Sequence, residues 1–391
     1  MRPPTAVRPA LLAVFLAALA ANTIIAVILP SRPDEITWYQ PVVEESARVW
    51  PELNTTVVGQ GVSPIYAWIM GGLVSLGLPP VLMGRLLSLV AAASSVILLA
   101  RRHGLVAGLP LLIFPVAVFA ARLHPLWPAI ALMVVAFTVK KSWVKPLAVL
   151  MSCNLQPVMA PLVVGLWIDQ FIAATPRQPL RWLLWGAIFA VAAGVGVVST
   201  WLLYGTQYTD EFVAQFPELS SFSGFTPAYA PLVVASAGVA ALIVRPALSR
   251  LTIRRLLLAV GLAIAAGVAG LLSPIPVGPL GRVLDALPLS NVLYALVIAV
   301  GAFLLVEMLT QVWSLGASGR WHVVALVGVL AAAVLVLGRL PWLYERYAFF
   351  VVGPAFALVF ARMPRPEWRR YIVVGAGLVL GAVGLSMYGS L

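Results

Sequence analysis

Charge is scarce in this chain, and negative charge is scarcest. Only 13 of the 391 residues are Asp or Glu, against 25 Lys and Arg, and charged residues of all kinds make up 10%. That excludes an ordinary soluble globule, whose surface needs roughly a quarter of its residues charged. The single cysteine, Cys153, excludes an internal disulfide and makes the redox compartment unreadable. With three histidines spread far apart, no His/Cys/Asp group has metal-ligand spacing. A glycine loop of the nucleotide-binding type is also missing.

What the chain has instead is apolar length. Hydrophobic residues make up 62% and mean hydropathy is +1.02. Apolar runs near the length of a bilayer crossing recur from end to end, which predicts a polytopic all-α membrane protein. The predicted spans lie near 10–30, 81–100, 104–121, 125–139, 144–156, 158–173, 182–204, 228–245, 254–272, 289–313, 321–338, 346–361 and 371–389. The first run follows Arg2 and Arg8, is too long for a signal-peptide core and precedes no small-residue cleavage pattern, so it reads as a retained helix. The segment 63–78 is apolar but short and broken by Pro64, Gly71, Gly72 and Gly77.

Basic residues decide whether 63–78 crosses. With the N-terminus cytoplasmic and 63–78 lying along the outer interface, the inner loops collect the strong basic groups: Arg101–Arg102, Lys140–Lys141, Arg254–Arg255 and Arg369–Arg370 among them. Arg32, Arg48, Arg85, Arg122, Arg282, Arg339 and Arg346 stay outside. A crossing there would reverse the later loops, so the positive-inside rule favours about 13 transmembrane helices. The net charge of +12 is then explained by cytoplasmic loops beside anionic lipid, not by nucleic acid.

On this topology the scarce acids gather on the outer face. Asp34, Glu35, Glu44, Glu45 and Glu52 fall in the first outer loop, 31–80. A second large loop, 205–228, carries Tyr208, Asp210, Glu211, Phe212, Phe216, Phe222 and Phe225, which suit either sugar faces or the head-group layer. Glu307 is an acid within a predicted span and a functional candidate for that reason.

The order of these features resembles the GT-C superfamily of integral-membrane glycosyltransferases, in plan similar to the aminoarabinose and protein mannose transferases. The residues that carry the resemblance are the acid pair of Pro33-Asp34-Glu35 after the first helix and a helical stretch from Tyr39 to Val49. Then come Gly61-Val62-Ser63-Pro64-Ile65-Tyr66 opening an interfacial helix, Arg85 opening the next span, and Ala121-Arg122-Leu123-His124-Pro125 in the second short outer loop. Glu345-Arg346-Tyr347 stands late in the chain. The match covers roughly residues 1–230, a module with outer loops 31–80 and 205–228. Residues 231–391 match loosely and would complete the lipid-donor site.

The resemblance implies transfer of a sugar from a polyprenyl-phosphate carrier to a glycan, lipid or protein acceptor on the outer (periplasmic or extracellular) face of a cell membrane. It implies Asp34 as general base, its pKa raised by partial desolvation, with Glu35 beside it. Arg122, His124, Arg346, Tyr347, Arg85, Arg282, Gln156 and Tyr66 are the candidates for holding the donor phosphate or sugar. Each has a structural alternative: Asp34 as the cap of the following helix, the arginines as snorkelling or paired cations, and Asn154 and Gln156 as polar residues at a proline-broken helix. Many family members carry an acid where this chain has His124. This departure from the family's pattern favours a reaction with no required cofactor, although Asp34 and Glu35 could contribute to a divalent-cation site.

Two other classes compete. An O-antigen polymerase or ligase would use undecaprenyl-diphosphate glycans, but its large outer loop lies late in the chain, whereas the acidic loop here comes first. A lipid or solute transporter would show inverted repeats and paired mid-membrane polar residues, and neither is evident.

Overall fold

The computed structural model describes residues 34–53, 62–113, 116, 119–173, 179–204, 224–244, 252–270, 290–340 and 345–361. Among them every regular element is helical. The chain opens with a wide helical turn, Asp34–Tyr39, which runs into α1 (Gln40–Val49). It continues through α2 (Pro64–Ser75), α3 (Pro80–His103), α4 (Leu126–Thr138), α5 (Val144–Leu155), α6 (Leu162–Ala173) and α7 (Pro179–Tyr204). The later helices are α8 (Tyr229–Val244), α9 (Ile253–Gly270), α10 (Ser290–Trp313), α11 (Ala317–Leu337) and α12 (Glu345–Val359).

Local chemistry sets the ends. Ser63 caps α2 through its hydroxyl, which accepts from the Tyr66 N–H, and Pro64 follows at the first helical position. Proline also opens α3 and α7. Arg101, Arg102 and His103 fill the last turn of α3, where cations complement the helix dipole, and Gly104 ends it at φ 90.

Among the described residues, four helices are long and apolar enough to cross a membrane: Pro80–His103, Pro179–Ser199, Asn291–Trp313 and Ala317–Leu337. The predicted spans from 125–139 onward coincide with helices α4 to α12 within a few residues, as does 81–100 with α3. The run 104–121 is broken: tight 3₁₀ turns at Leu105–Leu112, around Pro110, and at Phe119–Ala121 replace one continuous helix. The runs 10–30 and 371–389 lie outside the described residues. At 12 residues α2 reaches roughly 18 Å, short of a bilayer core, and it packs on α1 and against α5 and α7.

α4 is deeply buried: its Leu126, Trp127, Ala129, Ile130, Met133, Val134 and Ala136 are inaccessible to solvent. It lies between α3 and α5, with α12 and the 3₁₀ turns close by, and the Trp127 indole N–H donates to the Val116 carbonyl at 2.9 Å. Small residues let α8 and α10 approach closely, since a Cβ on Gly238 or Gly301 would collide with the backbone of the other helix. Buried side chains from residues before and after 230 join in one apolar core. By contrast, Val191, Val195 and Val198 on α7 and Leu256, Leu257, Val260 and Ile264 on α9 are exposed, as apolar faces against lipid would be.

Candidate functional site

The first turn, α2, the start of α3, the 119–125 segment and the start of α12 meet at one end of the bundle. The join is built on one face of α3, where Gly84, Arg85 and Ser88 stand within about a turn of each other. Leu123 packs directly on Gly84. The Ser88 hydroxyl donates to the Arg122 carbonyl at 2.7 Å and lies 3.2 Å from that of His124. Arg85 forks onto Glu35, Nε to Oε1 at 3.1 Å and Nη2 to Oε2 at 2.7 Å. Glu35 also accepts the Leu123 N–H at 2.9 Å. A buried carboxylate thus ties the turn before α1 to α3 and to the 119–125 segment at once. Asp34 precedes it in the same turn. Its backbone alone is described.

Around this anchor lies a box of rings. His124 stands 5.1 Å from Tyr39, 4.7 Å from Phe119 and 6.0 Å from Phe350 between ring centroids. Tyr39 also meets Tyr66 edge-on, and Tyr347 meets Phe350 edge-on. Two guanidinium groups share the Phe119 ring: Cζ of Arg122 is 5.3 Å and Cζ of Arg346 is 5.9 Å from its centroid. Arg346 lies over Tyr347 as well. The two cations thus meet at one aromatic face at partial burial.

His124 is neutral here. Burial lowers its pKa well below 6.5, and Arg346 and then Arg122 push it the same way. Its Nδ1 accepts the Leu126 N–H at 3.0 Å, which leaves the proton on Nε2. The ring is thus a fixed hydrogen-bond donor, not a cation. The Tyr66 hydroxyl is buried beside the His124 backbone, and burial together with Glu35 pushes its pKa up.

Of the residues expected from sequence, Glu35, Tyr66, Arg85, Arg122, His124, Arg346 and Tyr347 come together. Gln156 stands at the break between α5 and α6, half-buried, with no side-chain hydrogen bond among the described residues. Its neighbour Asn154 is fully buried in a structural clamp: Oδ1 accepts the Ser63 hydroxyl at 3.0 Å and Nδ2 donates to Ser199 at 3.0 Å. Arg282 lies outside the described residues, as does loop 205–223. Glu307 pairs with Arg255 at 3.1 Å and accepts from Gln311, so this buried acid ties α9 to α10 far along the chain from the cluster.

Sequence reasoning missed Gly84, Ser88, Phe119 and Phe350. Small residues at i and i+4 around Arg85 were a readable signal for Gly84 and Ser88. Phe119 and Phe350 resemble every other aromatic in so apolar a chain. It also missed Asp169, which lines a cavity about the size of one water with His103 and Thr138, away from this cluster. Among the described residues no three His, Cys, Asp or Glu side chains gather as a metal site would require. Compared with known proteins, the chain matches no family model, no curated protein and no solved structure.

Proposed function

We propose that this chain is an integral-membrane glycosyltransferase of the GT-C type, moving a sugar from a polyprenyl-phosphate carrier to an acceptor on the outer face of the membrane. The observation that carries the reading is the convergence of Arg122 and Arg346 on the Phe119 ring beside neutral His124. Two guanidinium groups suit a phosphate leaving group, whose charge grows as the glycosidic bond breaks. The Nε2–H of His124 would supply a neutral hydrogen bond to phosphate or sugar. Asp34 would take the proton of the acceptor hydroxyl, and Glu35, committed to Arg85 and Leu123, would position the turn that carries Asp34.

The topology that goes with this reading has about 13 crossings, the N-terminus in the cytoplasm and α1 and α2 along the outer interface. The cluster then sits at head-group depth, where a lipid-borne phosphate arrives with its prenyl chain in the bilayer. No divalent cation is required in this scheme, because the two arginines take its role. The same pair would also accommodate a diphosphate, which keeps a polymerase or ligase acting on undecaprenyl-diphosphate glycans as the second reading.

Transfer assays with the purified protein separate these. Wild type is expected to turn over a synthetic polyprenyl-monophosphate sugar, and Asp34→Asn to lose about 10²-fold or more in rate with unchanged thermal stability. Turnover of a diphosphate glycan alone would select the second reading. Full activity of Asp34→Asn would remove Asp34 as the base.

A further inference from the structure

The other end of the bundle carries a second pattern, independent of the reaction. Two helices begin with an Arg-Trp pair, Arg181-Trp182 in α7 and Arg320-Trp321 in α11. Phe171, near the end of α6, stands between them, 4.9 Å from the Trp182 ring and 4.6 Å from the Trp321 ring. Trp182 is locked in place. It stacks on Trp167 at 4.4 Å, and each indole N–H donates to the other's backbone carbonyl, at 3.1 and 3.3 Å.

Trp321 is propped by Phe171 but open on its other side. It is 40% exposed, and its indole N–H makes no hydrogen bond among the described residues. Arg320 is exposed and makes no ion pair among them. From Trp321 a single exposed apolar stripe runs up α11 through Val324, Val327, Ala331 and Leu335. Arg181 heads a similar row on α7, through Leu184, Val191, Val195 and Val198.

Each row is a greasy face ended by a cation, with an indole donor open beside it on α11. A soluble protein or nucleic acid would match the arginines but not the rows of valine and leucine below them. A neutral lipid would match the rows but not the arginines. We infer that the Arg320–Trp321 corner, with Arg181 across Phe171, seats the head group of an anionic phospholipid whose acyl chains lie along Val324, Val327 and Leu335. The indole N–H and guanidinium of this corner would both donate to one phosphate.

Lipid retention by the full-length purified protein tests this, by native mass spectrometry with phosphatidylglycerol and phosphatidylcholine added in turn. Wild type should retain phosphatidylglycerol preferentially. Arg320→Gln and Arg181→Gln should each lower that preference about fivefold. Arg254→Gln, at an exposed arginine on the first turn of α9, should leave it unchanged. Equal retention of the two lipids by wild type would overturn the inference without any variant. So would an equal loss in Arg254→Gln, which would assign the preference to diffuse basic charge. Sugar transfer is not read in this experiment, so its outcome leaves the reaction proposed above untouched.

Discussion

Arg85 holds Glu35 through both of its carboxylate oxygens, at 3.1 and 2.7 Å, with Glu35 1% and the Arg85 side chain 16% exposed. The pair bridges two segments that are 50 residues apart in sequence. Its position near the start of α3, where three segments meet, explains why a chain so poor in acids places one in its core.

Breaking a buried pair by removing one partner leaves the other charge uncompensated, a cost of about 3–5 kcal/mol. Arg85→Ala and Glu35→Ala should each lower the thermal midpoint of the purified protein severely. The double variant should lose less than the sum of the two, because no charge is left stranded. Arg85→Lys should recover only part of the loss, since an ammonium cannot reproduce the two-pronged contact. Additive losses in the double variant would show that the pair is not coupled.

His124 sets a direction for the pH dependence of stability. Its folded pKa lies well below 6.5 because of burial and two neighbouring arginines. As the pH falls below about 6.5, the unfolded chain takes up a proton that the folded chain refuses. The stability tied to His124 is therefore fully present above that value and is lost progressively as the pH falls toward the folded pKa. Unfolding midpoints measured from neutral to mildly acidic pH should fall for wild type and fall less steeply for His124→Gln. Parallel slopes would mean that the imidazole charges freely in the folded protein.

Asn154 joins three elements with one side chain: Ser63 at the cap of α2, Ser199 on α7 and its own helix α5. Asn154→Ala takes the acceptor from the Ser63 O–H and the donor from Ser199, and should cost about 1–3 kcal/mol. Asn154→Asp keeps an acceptor for Ser63 but turns a buried amide into a carboxylate, and should be worse than Ala at neutral pH. Proteolysis of the segment that leads into α2 is the sensitive measurement, because the clamp fixes the start of α2. Unchanged cleavage rates in both variants would assign α2 to other anchors.

Much of the bundle was legible in the sequence because apolar runs and proline or glycine punctuation are local signals. α4 to α12 begin and end close to where hydropathy and breakers place them. The 104–121 run misled because hydropathy does not register how Pro110 divides a helix into tight turns. At the site, the charged members stood out because charge is rare here. The pairing of Arg85 with Glu35 was not readable, since both were equally good candidates for binding substrate. Phe119 and Phe350 were invisible for the opposite reason: aromatic residues are common throughout, and only three-dimensional contact sets these apart.

Gly84 shows how the site depends on a residue with no chemistry of its own. A methyl group added there would lie 2.9 Å from the Leu123 Cα as well as against its side chain. Backbone cannot yield as a flexible side-chain tip can, so the 122–124 segment must move away from α3. That movement would stretch the Ser88 contacts to the Arg122 and His124 carbonyls and the Leu123 N–H bond to Glu35. Gly84→Ala should therefore weaken the site more than the fold. The expected result is a loss of transfer activity of about 10²-fold, the usual consequence of a displacement near 1 Å, with a smaller drop in thermal midpoint than Arg85→Ala. Ser88→Ala, which removes the hydroxyl without adding bulk, should fall between Gly84→Ala and wild type in activity. Wild-type activity in Gly84→Ala would mean that the position of Arg122 and His124 against α3 is not what the reaction uses.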